Sequence, residues 1–204
     1  QDFNIMLERF IHIWYFLNRL DNKKDYRYII STDVRDVVFQ TNPSDYLIPI
    51  LIDSVFVDTI ASSEAIRVKH EPWNRDNIIK CFGQMYYDQI CENEVLNVGT
   101  LAGRSGSIKD LTAAIFQMSL NRADWVADQA AYNMIIHHTP WEQFALHTEL
   151  SHAWAINGHV TNYEPDMAKF EPFLLEERPV VIDNRICNVR GHEFTIVHQY
   201  DRVY

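Results

Sequence analysis

Residues 5–20 place apolar side chains at 6, 7, 10, 13, 14, 17 and 20, three and four residues apart, which predicts a buried amphipathic helix. A charged turn over 21–25 follows, and residues 26–31 are a β-prone run leading into Thr32-Asp33, which predicts a strand with aspartates at its carboxyl end. Val37-Val38-Phe39 resumes the apolar run beyond Asp36, and Asn42-Pro43-Ser44-Asp45 supplies a cap residue and a first-turn proline able to open a helix. Residues 54–62 read as a second strand, the polar stretch from Glu64 through His70-Glu71-Pro72-Trp73-Asn74 as a loop, and 76–90 as a helix. Residues 95–103 are β-prone, 105–120 carry apolar positions at 108, 111, 115, 116, 118 and 119 in helical spacing, and 125–136 form a further helix. The tail holds two short β-prone pieces, 154–162 and 195–197, among proline and charge clusters. Helices and strands alternating in this way predict an α/β fold on an open, mostly parallel sheet. No repeat, low-complexity tract or Pro/Gly/Ser linker divides the chain, so residues 1–204 read as one domain.

Composition narrows the function classes. Apolar residues at 47% and charged residues at 23% are those of a chain with a packed core and exclude disordered, collagen-like and disulfide-scaffold proteins. The formal charge of −10 opposes a broad phosphate-backbone footprint and so excludes nucleic acid as a bulk partner. A divalent cation can still bridge such a protein's carboxylates to a phosphorylated small molecule. The three cysteines, Cys81, Cys91 and Cys187, are odd in number and contain no C-x-x-C, which favours a reduced, cytoplasmic setting. An anchor ahead of residue 1 would instead place the domain in the Golgi or ER lumen, and the start at Gln1, with neither an initiator Met nor a signal sequence, reads as that of an excerpt. The longest apolar stretch, 46–61, is broken by Pro49, Asp53 and Asp58 and falls short of the ~20 residues that span a bilayer, so no membrane span is expected.

The densest chemistry lies in residues 28–40, where Asp33 and Asp36, with Arg35 between them, interrupt an apolar run. Unpaired charge buried there would cost several kcal/mol, so something compensates it. One answer is a divalent cation held by carboxylates at a strand end, with positions left for phosphate oxygens; the other is a plain Asp–Arg ion pair or an Asx-turn. Other motifs carry less. The glycines 99, 103 and 106 precede a helix but lack both the Gly-Lys-Ser/Thr of a P-loop and the G-x-G-x-x-G spacing. His137, His138, His147, His152, His159 and His192 show no zinc-ligand spacing, and no serine sits in a G-x-S-x-G frame.

Four segments, in order, give the chain a family resemblance. The strand ending at Asp33 and Asp36, followed by Val-Val-Phe and Asn-Pro, resembles the DxD segment of nucleotide-sugar glycosyltransferases of the GT-A fold. Residues 96–104, Leu-Asn-Val-Gly-Thr-Leu-Ala-Gly-Arg, are similar to their Asn-x-Gly segment, Asp128-Gln129 to their Asp-Gln helix motif, and residues 196–202 to the late strand whose histidine completes the metal site. The resemblance implies a GT-A-like sheet flanked by helices, and a Mn²⁺ or Mg²⁺ ion held by Asp33, Asp36 and His198. It further implies a nucleotide-sugar donor, UDP-sugar being the family's commonest, and a hydroxyl acceptor on a glycan, protein or small molecule. Arg35 would then neutralise phosphate or orient a carboxylate, and Asn97, the backbone at Gly99, and Gln129 would hold the donor. Asp128 would orient or deprotonate the acceptor hydroxyl, or contact the donor sugar. Glu64 and Glu71 are further carboxylate candidates beside His70, and Trp73 reads as a packing residue with stacking on a sugar ring as the alternative. Two features depart from the family pattern. The aspartates are spaced Asp-x-x-Asp, with the apolar register after Asp36 favouring it as the direct ligand, and one helix alone precedes Asp33 where the family carries a first β-α-β unit. A degenerate binding domain and a carboxylate-metal phosphodiester hydrolase are the rival readings.

Overall fold

Helix α1 (Ile5–Arg19) precedes strand β1 (Tyr28–Thr32), and a turn over residues 33–36 leads to β2 (Val37–Phe39). Asn42 caps α2 (Pro43–Leu47), its side-chain oxygen accepting from the Ser44 N–H, as the Asn-Pro-Ser-Asp run predicts. Then come β3 (Thr59–Arg67), α3 (Pro72–Phe82), α4 (Gln84–Ile90), β4 (Glu94–Arg104), α5 (Ser105–Ser119) and α6 (Ala127–Ile136). The chain closes with β5 (Ala145–Thr148), β6 (Ala155–Asn157), the hairpin β7 (Val180–Ile182) and β8 (Arg185–Cys187), and β9 (Ile196–His198). The computed structural model describes residues 5–20, 27–122, 126–158, 169, 170, 172, 176 and 178–202. The charged turn at 21–25, the first residue of the predicted β1, the predicted start of α6 at 125, and 159–162 of the predicted late strand lie outside them.

The principal sheet has the order β1-β4-β3-β5, and a second sheet has the order β2-β9-β6. Helices and sheets are layered as an open α/β fold, but the strands do not run mostly parallel. β4 is antiparallel to both β1 and β3, β2 is antiparallel to β9, and only the β3–β5 and β6–β9 pairs are parallel among the named strands. The reason is the connection between β3 and β4. A single crossover helix would carry the chain to the far end of the sheet, whereas two helices in succession, α3 and α4, broken at Gly83 (φ +93°), return it to the end it left, where Arg67 pairs with Glu94.

Ile60 and Leu101 are paired across neighbouring registers with Ala61 and Ala102, and each pair of adjacent residues splits between the two faces. Ala61 and Leu101 join Phe10, Ile108, Leu111, Ile115 and Tyr132 under α1, α5 and α6, while Ile60 and Ala102 pack with Leu47, Leu51, Trp154 and Ile196 on the other side. Burial on both faces explains why β3 lacks the polar-apolar alternation of a half-exposed strand. It also corrects the predicted second strand: residues 54–58 are a loop with Val55 and Phe56 exposed, and the strand extends through Ser62, Ser63 and Glu64, which is buried in it rather than in a loop. α3 likewise begins earlier than predicted, because Glu71 caps it and Pro72 occupies its first turn. α1 buries Phe10 alone and leaves Ile5, Tyr15 and Phe16 exposed, since it lies outside α5 as a surface helix rather than a buried one. No helix among the described residues is long and apolar enough to cross a membrane.

Candidate active site

The turn over 33–36 joins the two sheets, and this junction brings the two aspartates and a histidine together. Asp33 follows β1, its N–H bonded to the Gly99 carbonyl at 3.1 Å, and Asp36 precedes β2, its carbonyl accepting from the Gln199 N–H at 2.6 Å. Val37 pairs with His198 across β2 and β9, so the histidine lies beside both. One ligand atom from each of Asp33, Asp36 and His198 lies within 4.8 Å of the others. His198 Nε2 is 3.3 Å from Asp33 Oδ2 and 3.9 Å from Asp36 Oδ1.

The orientation of His198 is set from behind. Asn157 Nδ2 points at the Ser63 carbonyl at 3.5 Å, and its Oδ1 lies 2.9 Å from His198 Nδ1. Nε2 is thereby buried and turned to the two carboxylates. Together the three side chains offer two carboxylates and an imidazole nitrogen to a divalent cation. Gly99 is required by proximity: a Cβ there would meet His198 Cε1 at 2.6 Å and Asp33 Oδ2 at 2.9 Å.

The cluster opens on a cleft of about 400 Å³, whose wall includes Asn97, Val98 and Gly99. Their shape comes from a break in the β3–β4 ladder, where residues 97–100 stand opposite Ser62 alone between the pairs Ala61↔Leu101 and Ser63↔Leu96. The freed backbone groups are taken up by α6, a helix buried on all sides. Gln129 Oε1 accepts from the Val98 N–H at 2.9 Å and its Nε2 donates to the Leu96 carbonyl at 3.0 Å; Asn133 holds the Leu96 N–H and carbonyl. Asn97 donates to Glu64 Oε1 at 2.7 Å and accepts from the Gly99 N–H at 2.8 Å.

Asp128, one residue before Gln129, lines the same cleft at 2% exposure and is bound by a residue the sequence analysis did not single out. Arg9 of α1 donates through Nη2 to Asp128 Oδ2 at 2.9 Å and through Nη1 to Asp33 Oδ1, bridging the two acids. Burial acts to raise the Asp33 carboxyl, but His198 and Arg9 outweigh it and hold it below the usual aspartate value. At Asp128 burial prevails over Arg9 and the N–H groups of the first turn of α6, and its carboxyl is raised. The clue to Arg9 in the sequence is a cation three residues after Met6 and one before Phe10, on the face of α1 turned to the protein, where a charge requires an acid.

Of the predicted site residues, Asp33, Asn97, Gly99, Asp128, Gln129 and His198 line the cleft, and Asp36 adjoins it through the three-ligand cluster. Arg35 stands exposed in the turn and is not among the lining side chains. Glu64 and Glu71 also line the cleft, as does Trp73, which is 50% exposed rather than packed. His70 faces Phe170, their rings stacked at 4.7 Å.

No family model matches the chain, and no curated protein does. Among solved structures, the chain is similar to the crystal structure of mouse xyloside xylosyltransferase 1 in its apo form, with a TM-score of 0.53 at 14% identity over 93% of this chain. The likeness shows a glycosyltransferase-like fold of the GT-A type, and the chain spans 63% of that enzyme's length.

Proposed function

We propose that this chain transfers a sugar from a nucleoside diphosphate sugar, a UDP-sugar on the resemblance of its motifs, to a hydroxyl acceptor, with a divalent cation held by Asp33, Asp36 and His198. The observation that carries the reading is the convergence of Asp33, Asp36 and the buried His198 Nε2 within 4.8 Å of one another at a cleft that also holds Asn97, Gly99 and Asp128. Xylosyl transfer, named for the mouse enzyme, is one donor class to test. When bound, the cation supplies charge stabilisation for the diphosphate leaving group.

This chain's own residues do the rest. Asn97 and the Gly99 backbone hydrogen-bond the donor sugar, and Gln129 keeps them in place by fastening β4. Arg35, exposed beside the aspartates, neutralises phosphate. The acceptor oxygen forms a bond to the anomeric carbon as the bond from that carbon to the diphosphate oxygen breaks, its electron pair leaving with the diphosphate. The acceptor's proton passes to Asp128, whose raised carboxyl is a better base than an ordinary aspartate. The test is calorimetric titration of UDP into the protein with and without Mn²⁺, repeated for Asp36→Ala. Binding that requires the metal and is lost in the variant is expected; metal-independent binding, or full binding by Asp36→Ala, refutes the site.

A further inference from the structure

We infer that the wall of the cleft built by the start of α3 is a saccharide subsite, and that the acceptor is a neutral pyranoside whose ring lies on Trp73. This rests on the glycosyl-transfer reading for the word acceptor, though not for the binding itself.

α3 turns Asn74, Asn77, Ile78 and Cys81 inward, at the spacing of one helix face, and Trp73 falls outside that set. The indole is instead half exposed along the cleft, where it offers a broad apolar surface to whatever enters. The backbone that carries it is held, because Glu71 accepts from the Trp73 N–H at 3.3 Å and from the Asn74 N–H, which caps the first turn. Next to it, Asn74 is 3% exposed and lines the same cleft. Asn74 Nδ2 is bonded to Glu71 Oε2 at 2.8 Å, which leaves its Oδ1 buried with no donor to accept from. An orphaned acceptor of this kind is destabilising until a donor arrives.

An aromatic surface and a hydrogen-bond acceptor on the wall of one cleft offer something to both halves of a pyranose, its apolar C–H face and its hydroxyl rim. A peptide hydroxyl would satisfy Asn74 but leave the indole uncovered. Asp128 is paired to Arg9, but Glu64 and Glu71 line the same cleft, so a uronate or a sugar phosphate would meet like charge there. A neutral ring is the chemistry that fits.

The proposal is tested by saturation-transfer NMR with methyl glucoside, galactoside, mannoside and xyloside, with methyl glucuronide as the charged control. Spectra are recorded on the protein alone and again with UDP and Mg²⁺. Saturation of the ring protons of at least one neutral glycoside is expected, with binding about tenfold weaker in Trp73→Ala, the loss of one stacking partner. Saturation seen with the protein alone is retained in Asp36→Ala, because the aspartate pair is not part of this wall. Undiminished saturation in Trp73→Ala, equal saturation of the glucuronide, or none with any glycoside in either condition overturns it. Nucleotide binding is read separately: a protein that saturates a glycoside through Trp73 but binds no UDP keeps the subsite and refutes glycosyl transfer.

Discussion

Two residues hold the candidate site at the atomic scale, one by having no side chain and one by carrying a charge. Gly99 lets β4 approach the ligand cluster within a distance that any Cβ would violate, and the obstructing atoms are a buried ring and a carboxylate already paired to Arg9. Gly99→Ala is therefore expected to keep the fold, as read by circular dichroism, and to weaken metal-dependent UDP binding by about tenfold or more in titration. Arg9 neutralises Asp128, whose side chain is 2% exposed. Arg9→Met is expected to destabilise the protein by about 3 kcal/mol in urea unfolding, the cost of leaving a buried charge alone, and adding Asp128→Asn should restore most of the loss.

At the scale of elements, the cleft exists because a central strand is interrupted and a helix repairs it. The break in the β3–β4 ladder turns residues 97–99 toward the cleft, and the backbone groups it strands are satisfied by Gln129 and Asn133, side chains one helical turn apart on α6. Gln129→Leu keeps the volume and removes both hydrogen bonds. It is expected to cost about 2 kcal/mol of stability and to weaken UDP binding along with it, whereas the exposed Gln117 of α5 should tolerate the same treatment. A loss of stability with unaltered UDP affinity would show that the strand's shape does not matter to the site. The Asp-Gln pattern was readable in the chain, but its structural half was not: nothing local says that α6 is buried on every side, so that Gln129 faces a strand some thirty residues back.

Across the whole molecule, pH stability is set by histidines far from the cleft. Burial, and next to it the neighbouring His147 and His138, push His137 down to about 4 from an ordinary 6.5 against a hydrogen bond to the Glu94 carbonyl, and burial lowers His147 as well. His137 stays neutral in the folded protein until about pH 4, and His147 protonates below its ordinary range, while the unfolded chain takes up protons near pH 6.5, so the unfolded state binds more protons below that point. Stability is complete above about pH 6.5 and falls as the pH drops toward 4, with His137 responsible for up to about 3 kcal/mol. Urea midpoints measured across this window should slope less steeply in His137→Gln, which keeps a donor for Glu94 and cannot titrate. The same slope in both proteins would remove His137 as the cause.

The sequence by itself determined the kinds and order of most elements, the α2 cap at Asn42 and the two aspartates at a strand's end, because each is written in local periodicity, turn chemistry or a short motif. Only the tertiary structure decided the strand directions, since the choice between parallel and antiparallel depends on where a connection deposits the chain and not on the strand's own residues. It also decided that His198 meets Asp33 and Asp36, that Glu64 sits in a central strand, that Arg9 reaches across to Asp33 and Asp128, and that Trp73 stands open next to Asn74, whose Oδ1 has no donor. Those facts are contacts between residues far apart in the chain, and burial and pairing of that sort are settled by packing, which no window of the sequence contains.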